Sequence, residues 1–116
     1  MSTPSLAADF VVDGVTIQNG SVIGNGGGLY LKTLGGNIRL NNNKIIDSSA
    51  KESSSGGGRG GGVFIDQYAN LVELFNNTIA ASSARESGGV SINDSKTITL
   101  NSNSISSIFS NCSTLF

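Results

Sequence analysis

Residues 61–80 read GGVFIDQYANLVELFNNTIA, and this stretch contains both of the short elements that decide the fold. The first element is a pair of glycines followed by an apolar-x-apolar triplet at 63–65. The second is another apolar-x-apolar triplet, at 72–74, followed by an Asn-x-Ile motif at 77–79. Because strands that bury one face alternate apolar and other residues, the stretch predicts three short strands joined by turns.

The same two elements alternate along most of the chain. Phe10, Ile38, Val72 and Ile98 begin the four copies of the second element, so successive copies are 28, 34 and 26 residues apart. A period of this length, made of period-2 apolar segments joined by Gly and Asn, is typical of a β-solenoid. We therefore predict an all-β fold, a right-handed parallel β-helix of about three to four short coils with three strands in each.

The repeat also predicts the interior of the coils. Equivalent strands of successive coils stack about 4.7–4.9 Å apart, so equivalent apolar residues form columns. The five predicted columns are Leu29, Val63, Val90; Leu31, Ile65, Ile92; Phe10, Ile38, Val72, Ile98; Val12, Leu40, Leu74, Leu100; and Ile17, Ile45, Ile79, Ile105.

Asparagine and glycine are predicted to form the corners. Asn43, Asn77 and Asn103 share one register after a two-residue turn. Because Asn tolerates a left-handed backbone and bonds neighbouring groups, we predict an internal asparagine ladder that ends at the first coil, where Val15 stands. The paired glycines are predicted to adopt positive φ where a strand begins, and they are Gly27, Gly28, Gly61, Gly62, Gly88 and Gly89.

The repeat divides the chain into an N-terminal flank at 1–9, β-helix repeats at 10–105 and an incomplete C-terminal coil at 106–116. The repeats themselves span 10–37, 38–71, 72–97 and 98–105 onward. The connection that leads to each Gly-Gly element varies in length, and its longest copy contains the Gly/Ser-rich insertion 51–59. We expect this insertion to be a mobile loop that protrudes from the coil.

Composition excludes several classes of function. Charged residues are only 13% of the 116-residue chain and the net charge is −1, so no nucleic-acid partner is predicted. The absence of His excludes His-based catalysis, and the single Cys112 excludes an internal disulfide. We expect neither a signal peptide at 1–9, which lacks a basic and a long apolar region, nor a membrane span, since no segment is apolar for long enough. We predict no cofactor and no metal.

The elements resemble the short repeats of polymorphic outer-membrane proteins, written GGA[ILVY] and FxxN. Leu or Val replaces the Ala of that pattern, and Leu replaces its Phe. The matching segments are GGLY at 27–30, GGVF at 61–64, GGVS at 88–91, LNNN at 40–43, LFNN at 74–77 and LNSN at 100–103. More broadly, the chain looks like the β-helix repeats of pectate-lyase-like enzymes and surface proteins. The resemblance implies an adhesive segment at the cell surface or outside the cell, as part of a longer protein.

The candidate binding residues lie on the outward side of the Gly-Gly strands. Tyr30 and Phe64 share one register, and Lys32 and Asp66 share the next. Exposed stacked aromatic rings suit a sugar ring or a partner protein, although the variable loops are an alternative cover for them. Only one carboxylate stands here, whereas glycoside hydrolysis needs a positioned pair, so no catalytic residue is predicted.

The predicted function is therefore that of a noncatalytic structural or adhesive segment, which presents loops and an exposed aromatic patch to a carbohydrate or to a host or partner protein. One alternative is a noncatalytic fragment of a carbohydrate-active β-helix enzyme, a polysaccharide lyase or hydrolase. Another is an independent small solenoid. Exposed strand edges at the two ends also predict end-to-end self-association.

Overall fold

The structure, a computed structural model, describes residues 9–54, 56–66, 69–80, 82–84, 88–105 and 108–115. Regular secondary structure in these residues is β-strand throughout. The strands are β1 (Phe10–Asp13), β2 (Thr16–Gln18), β3 (Ser21–Ile23), β4 (Leu29–Leu31), β5 (Asn37–Asn41), β6 (Lys44–Ile46), β7 (Ser49–Ser53), β8 (Gly56–Gly57), β9 (Val63–Ile65), β10 (Leu71–Phe75), β11 (Thr78–Ala80), β12 (Ser83–Ala84), β13 (Val90–Asn101), β14 (Ser104–Ile105) and β15 (Ile108–Leu115). In these described ranges there is no helix long and apolar enough to cross a membrane.

The strands form three sheets in which neighbours in space are far apart in sequence. The largest sheet has the order β1-β5-β10-β13-β9-β4, with β15 paired to β13. A second sheet has the order β14-β11-β6-β2, and a third the order β12-β7-β3. Every pairing within these orders is parallel, and the short β8 is antiparallel to β7. The all-β class with parallel strands is therefore confirmed.

The strand register matches the predicted columns. Ile65 lies opposite Leu31 on one side and Ile92 on the other. Val72 lies between Ile38 and Ile98 in the same way, and the remaining predicted neighbours are paired likewise. Because the register follows from a period-2 pattern with one buried face, a slip by one residue would turn every apolar side chain to the other face.

The hydrophobic core consists of these columns. Their central members are fully buried, and Leu31, Ile65 and Ile92 each expose 0% of their surface. The members that are only partly buried come from the two ends of the stacks and are Phe10, Ile17, Leu100 and Ile105. Ala69 also belongs to the core cluster, although it lies outside the predicted columns. Full burial of each Ile, Leu or Val contributes about 1.5–3 kcal/mol to stability.

Two features of the sheets differ from the prediction. The Gly-Gly strand and the strand after it were expected to be separate, but in the last complete repeat they are one strand, β13. The joint between them, 93–97, is one residue shorter than the other two copies, and the backbone stays extended through a register shift near Ser95. The third sheet was not predicted, because two of its strands, β7 and β12, carry Ser and Ala in place of an apolar alternation.

Part of the insertion 51–59 forms short strands, whereas all of it was expected to be a loop. Its first residues extend β7, and Glu52 and Ser53 pair with the two glycines of β8. Backbone hydrogen bonds then join Gly58 to Gly24 and Arg59 to Gly26. The end of the insertion is therefore hydrogen-bonded to the connection that precedes β4, whereas residues 51–54 are exposed.

The two ends of the chain are described only in part. Residues 1–8 of the predicted flank, and residues 106, 107 and 116 of the predicted C-terminal coil, lie outside the described residues. The part of the C-terminal segment that is described, β15, adds a further parallel strand to the largest sheet. Ile108 lies in register with Val90, and Leu115 with Ile98.

The paired glycines were predicted for their positive φ, and this reason is wrong. Their role is to leave room for neighbouring backbone atoms, which a side chain would displace. Left-handed φ occurs one residue earlier, at Gly26 (φ 74°) and Gly60 (φ 62°). A Cβ atom on Gly61 would come closer than 3.0 Å to the carbonyl oxygens of Ser83 and Gly88. A Cβ atom on Gly27, Gly28, Gly62 or Gly88 would likewise come closer than 3.0 Å to a backbone carbonyl oxygen. Only glycine permits the backbones to approach this closely.

Candidate functional site

The predicted binding residues lie along three neighbouring strands of the largest sheet. Tyr30, Phe64 and Ser91 are the middle residues of paired triplets in β4, β9 and β13. Lys32, Asp66 and Asn93 follow these triplets at the next outward register. We call Tyr30, Phe64, Asp66 and Asn93 the Tyr30 cluster, since direct contacts join them.

The contacts within the Tyr30 cluster are a ring contact and two hydrogen bonds to one carboxylate. The ring centroids of Tyr30 and Phe64 are 5.4 Å apart, with the ring planes tilted by 32°. The hydroxyl of Tyr30 donates to Oδ2 of Asp66. Nδ2 of Asn93 donates to Oδ1 of the same carboxylate, at 3.4 Å. Asp66 is therefore held from two neighbouring strands, while a main-chain hydrogen bond of 2.8 Å fixes its own N–H to Leu31.

Burial, reinforced by the hydrogen bond to Asp66 and the negative charge of that carboxylate, raises the pKa of Tyr30 to about 12. The phenol therefore stays protonated at neutral pH and donates a hydrogen bond. It does not act as an acid or a base in the physiological range. The chemistry available to the Tyr30 cluster is polar recognition.

The prediction of an exposed aromatic patch is wrong for Phe64. Its side chain exposes only 2% of its surface, and Ser91 in the next strand also exposes 2%. Tyr30 is only partly buried. The pair therefore offers no two-ring platform, and Phe64 supports Tyr30 from within. Outward alternation alone did not reveal this, because other parts of the chain cover the middle of β9.

The Tyr30 cluster lacks the second carboxylate that hydrolysis of a glycosidic bond requires. Lys32 and Asn93 occupy the positions equivalent to Asp66 in the strands on either side. Among the residues that the structure describes, no group of three Cys, Asp or Glu side chains is placed to hold a metal ion.

A second set of polar residues lies in the interior. Asn43 and Asn77 are buried, exposing 3% and 2% of their surfaces, and Asn103 is partly buried. Nδ2 of Asn43 donates to Oδ1 of Asn77, and Nδ2 of Asn77 donates to Oδ1 of Asn103, both at 3.0 Å. We call these three residues the asparagine series. At its first end the main-chain N–H of Val15 donates to Oδ1 of Asn43 at 3.0 Å.

Asparagine was expected in the asparagine series because it tolerates a left-handed backbone. This reason is wrong, because the residues of the series do not adopt a positive φ. Positive φ occurs one residue earlier, at Asn42 (φ 57°), Asn76 (φ 57°) and Ser102 (φ 58°). Their side chains are exposed, and Nδ2 of Asn76 donates to Oδ1 of Asn42 at 2.8 Å. Asn42 in turn donates to Asp13 at 3.1 Å. The recurring Asn-Asn pairs therefore make two parallel rows of amides, one buried and one exposed.

Sequence reasoning missed Asn93 and the exposed row of amides. Asn93 occupies the same register as the predicted Asp66, and the Asn-Asn pair recurs at 42–43 and 76–77. These two signals were sufficient to find both features.

No protein-family model, no curated protein and no solved structure matches this chain.

Proposed function

We propose that the chain forms coils of a right-handed parallel β-helix and serves as a noncatalytic, adhesive segment of a surface or extracellular protein. The observation that carries this proposal is the pairing of strands 26 to 34 residues apart into parallel sheets, with equivalent aliphatic residues in register. Parallel strands that recur at a solenoid period, each after one copy of the same motifs, are what such coils require. Right-handed connections are the rule for parallel strands.

The asparagine series supports the structural part of this proposal. A buried amide stabilises a fold only when its donors and acceptors find partners. Each carboxamide oxygen of Asn77 and Asn103 accepts from both the main chain and the side chain of the preceding asparagine. We interpret the series as an internal ladder that fixes the register between coils.

The Tyr30 cluster is the proposed binding surface, with Lys32 beside it. It offers a phenol, a carboxylate and an amide within one small, partly buried region. Groups of this kind hydrogen-bond the hydroxyls of a sugar, and the ring of Tyr30 supplies apolar contact. We therefore propose a carbohydrate as the ligand. The single carboxylate supports binding without cleavage.

The test is a glycan array probed with the labelled chain and two variants. Asp66→Asn removes the charge of the cluster, while Glu73→Gln removes an exposed carboxylate that pairs with Arg39 at 3.9 Å on a different strand. Loss of one charged hydrogen bond costs about 1.5–3 kcal/mol, which is roughly a tenfold to hundredfold loss of affinity. We expect Asp66→Asn to lose binding by at least this factor and Glu73→Gln to keep it.

The proposal is contradicted if no glycan binds, or if Asp66→Asn binds as well as the unmodified chain. Release of shortened sugar products from a bound glycan would contradict the noncatalytic part. Circular dichroism of both variants verifies that any loss of binding is not a loss of fold.

A further inference from the structure

The sequence contains four copies of Asn-x-Ser/Thr, the acceptor motif for N-linked glycans, and the structure distinguishes two of them. The four copies begin at Asn19, Asn76, Asn93 and Asn111. Those at Asn76 and Asn93 lie in the middle repeats, where paired strands are described on both sides. For these two copies, the next strand of the sheet is therefore known in either direction along the stack.

Asn76 lies in the turn between β10 and β11, and its side chain is exposed. Its main-chain N–H donates to the carbonyl of Asn101 at 2.9 Å, and its Nδ2 donates to Oδ1 of Asn42 at 2.8 Å. The turn is thus held from both sides while the amide stays at the surface. Thr78, the third residue of the motif, is also exposed. The buried residue between them, Asn77, is the one whose type the motif leaves open.

A sugar linked to Asn76 is compatible with the contacts of this turn. The linkage replaces one of the two amide hydrogens, so Nδ2 keeps one N–H for Oδ1 of Asn42. Because the side chain is exposed, a bulky glycan can extend into solvent from it. The preceding residue, Phe75, exposes 43% of its surface, so the first sugar would begin next to an uncovered aromatic ring.

The motif at Asn93 is placed differently. Asn93 lies within β13 and is half-buried, and its Nδ2 donates to Oδ1 of Asp66 at 3.4 Å. Ser95, the third residue of this motif, exposes only 3% of its surface. A glycan on Asn93 would begin within the Tyr30 cluster, against the carboxylate that Asn93 contacts. We therefore expect Asn93 to be unmodified in the folded chain.

We propose that Asn76 is the acceptor of an N-linked glycan in the exported chain and that Asn93 is not. The reaction is the one that an oligosaccharyltransferase catalyses with a lipid-linked oligosaccharide as donor. A bond forms between Nδ2 of Asn76 and C1 of the first sugar, while the bond from C1 to the donor's pyrophosphate breaks. The lipid pyrophosphate leaves with the bonding electrons, and the amide loses one proton. The inference rests on the proposed extracellular location and not on carbohydrate binding by the Tyr30 cluster.

The test is export of the full 116-residue chain from cultured mammalian cells, behind an added secretion signal, followed by digestion with trypsin. Cleavage after Lys and Arg places Asn76 in the peptide 60–85 and Asn93 in the peptide 86–96, so the two motifs are read separately. Enzymatic removal of N-linked glycans in heavy-oxygen water converts each occupied Asn to a labelled Asp, which mass spectrometry detects. We expect the label in 60–85 and none in 86–96. Chain recovered from inside the cells is digested in the same way, so that poor export does not hide the result.

Thr78→Ala and Thr78→Ser are matched variants, because Thr78 is exposed and only the serine variant keeps the motif. The label in 60–85 should be lost with Thr78→Ala and kept with Thr78→Ser, with the same circular dichroism spectrum for both. An unlabelled 60–85 in the unmodified chain, or a label that persists in Thr78→Ala, would overturn the proposal for Asn76. A label in 86–96 of the folded, exported chain would overturn the exclusion of Asn93. A label at Asn76 together with a negative glycan array would support this inference while contradicting carbohydrate binding.

Discussion

Replacement of Asn77 by alanine is expected to destabilise the protein strongly, although the change removes only a small polar side chain. Asn77 exposes 2% of its surface and lies at the centre of the asparagine series. Its side chain takes part in four hydrogen bonds, with the main chain and side chain of Asn43, the carbonyl of Leu40 and the side chain of Asn103. Alanine cannot replace any of them.

The expected loss of stability in Asn77→Ala is calculated from the buried groups that lose their hydrogen-bond partners. The N–H of Asn43 and the carbonyl of Leu40 would each be left buried without the hydrogen bond that Asn77 supplies. Each buried group left unsatisfied costs about 1–3 kcal/mol. Allowing for partial relaxation, we expect the free energy of unfolding to fall by about 3–5 kcal/mol. A small domain has roughly 5–15 kcal/mol in total, so this loss is a large part of its stability.

Asn76→Gly is the matched control, because it removes an asparagine from the adjacent position. Asn76 is exposed, makes one side-chain hydrogen bond of 2.8 Å to Asn42, and has a φ of 57° that glycine adopts freely. We expect a loss below about 1 kcal/mol for this variant.

Urea denaturation followed by circular dichroism measures both losses. With a slope of about 1–3 kcal/mol per molar urea, Asn77→Ala should lower the midpoint by more than about 1 M. If Asn77→Ala costs no more than Asn76→Gly, the buried amides do not stabilise the fold and the reasoning about the asparagine series is wrong.

Four further predictions rest on burial and close contacts elsewhere in the chain. Ile65→Asp should unfold the chain, since it places an unpaired charge at a position with 0% exposure, whereas Ile23→Asp, at 73% exposure, should retain the native circular dichroism spectrum. Gly61→Ala should lower the free energy of unfolding in urea, because its Cβ would come closer than 3.0 Å to two carbonyl oxygens; an unchanged midpoint would show that the sheets can separate at no cost. Asp66→Asn should lower the pKa of Tyr30 from about 12, as read from the ultraviolet absorbance of the phenolate. The pKa of Tyr30 is 10.0 in the unfolded chain and about 12 in the folded one, so the protonated phenol favours the folded state below pH of about 10. This stabilisation should disappear as the pH rises towards 12.

The columns of the core were predictable because local pattern determines them. A period-2 apolar triplet specifies which side chains share a face. The joint from the Gly-Gly strand to the next triplet has nearly constant length, so the register carries over from repeat to repeat. This is why Leu31, Ile65 and Ile92 could be aligned without any knowledge of three-dimensional contacts.

The features that were not predictable depend on what packs against a strand from outside its own repeat. The outward position of Phe64 follows from alternation, but its burial depends on the parts of the chain that cover β9. The reason for the paired glycines is similar, since the carbonyl oxygens nearest to Gly61 come from Ser83 and Gly88, more than twenty residues away. The third sheet escaped prediction because Ser and Ala at 49–50 and 83–84 carry little apolar signal.

The central claim is that aliphatic residues of successive repeats are stacked in register within parallel sheets. Methyl NOE spectroscopy of the chain labelled at Ile, Leu and Val tests it most directly. Neighbouring strands lie about 4.8 Å apart and next-nearest strands about twice as far. We predict strong contacts from Ile65 to both Leu31 and Ile92, with a much weaker one between Leu31 and Ile92. If Ile65 contacts neither residue, or if the backbone shifts indicate helix, the account is wrong.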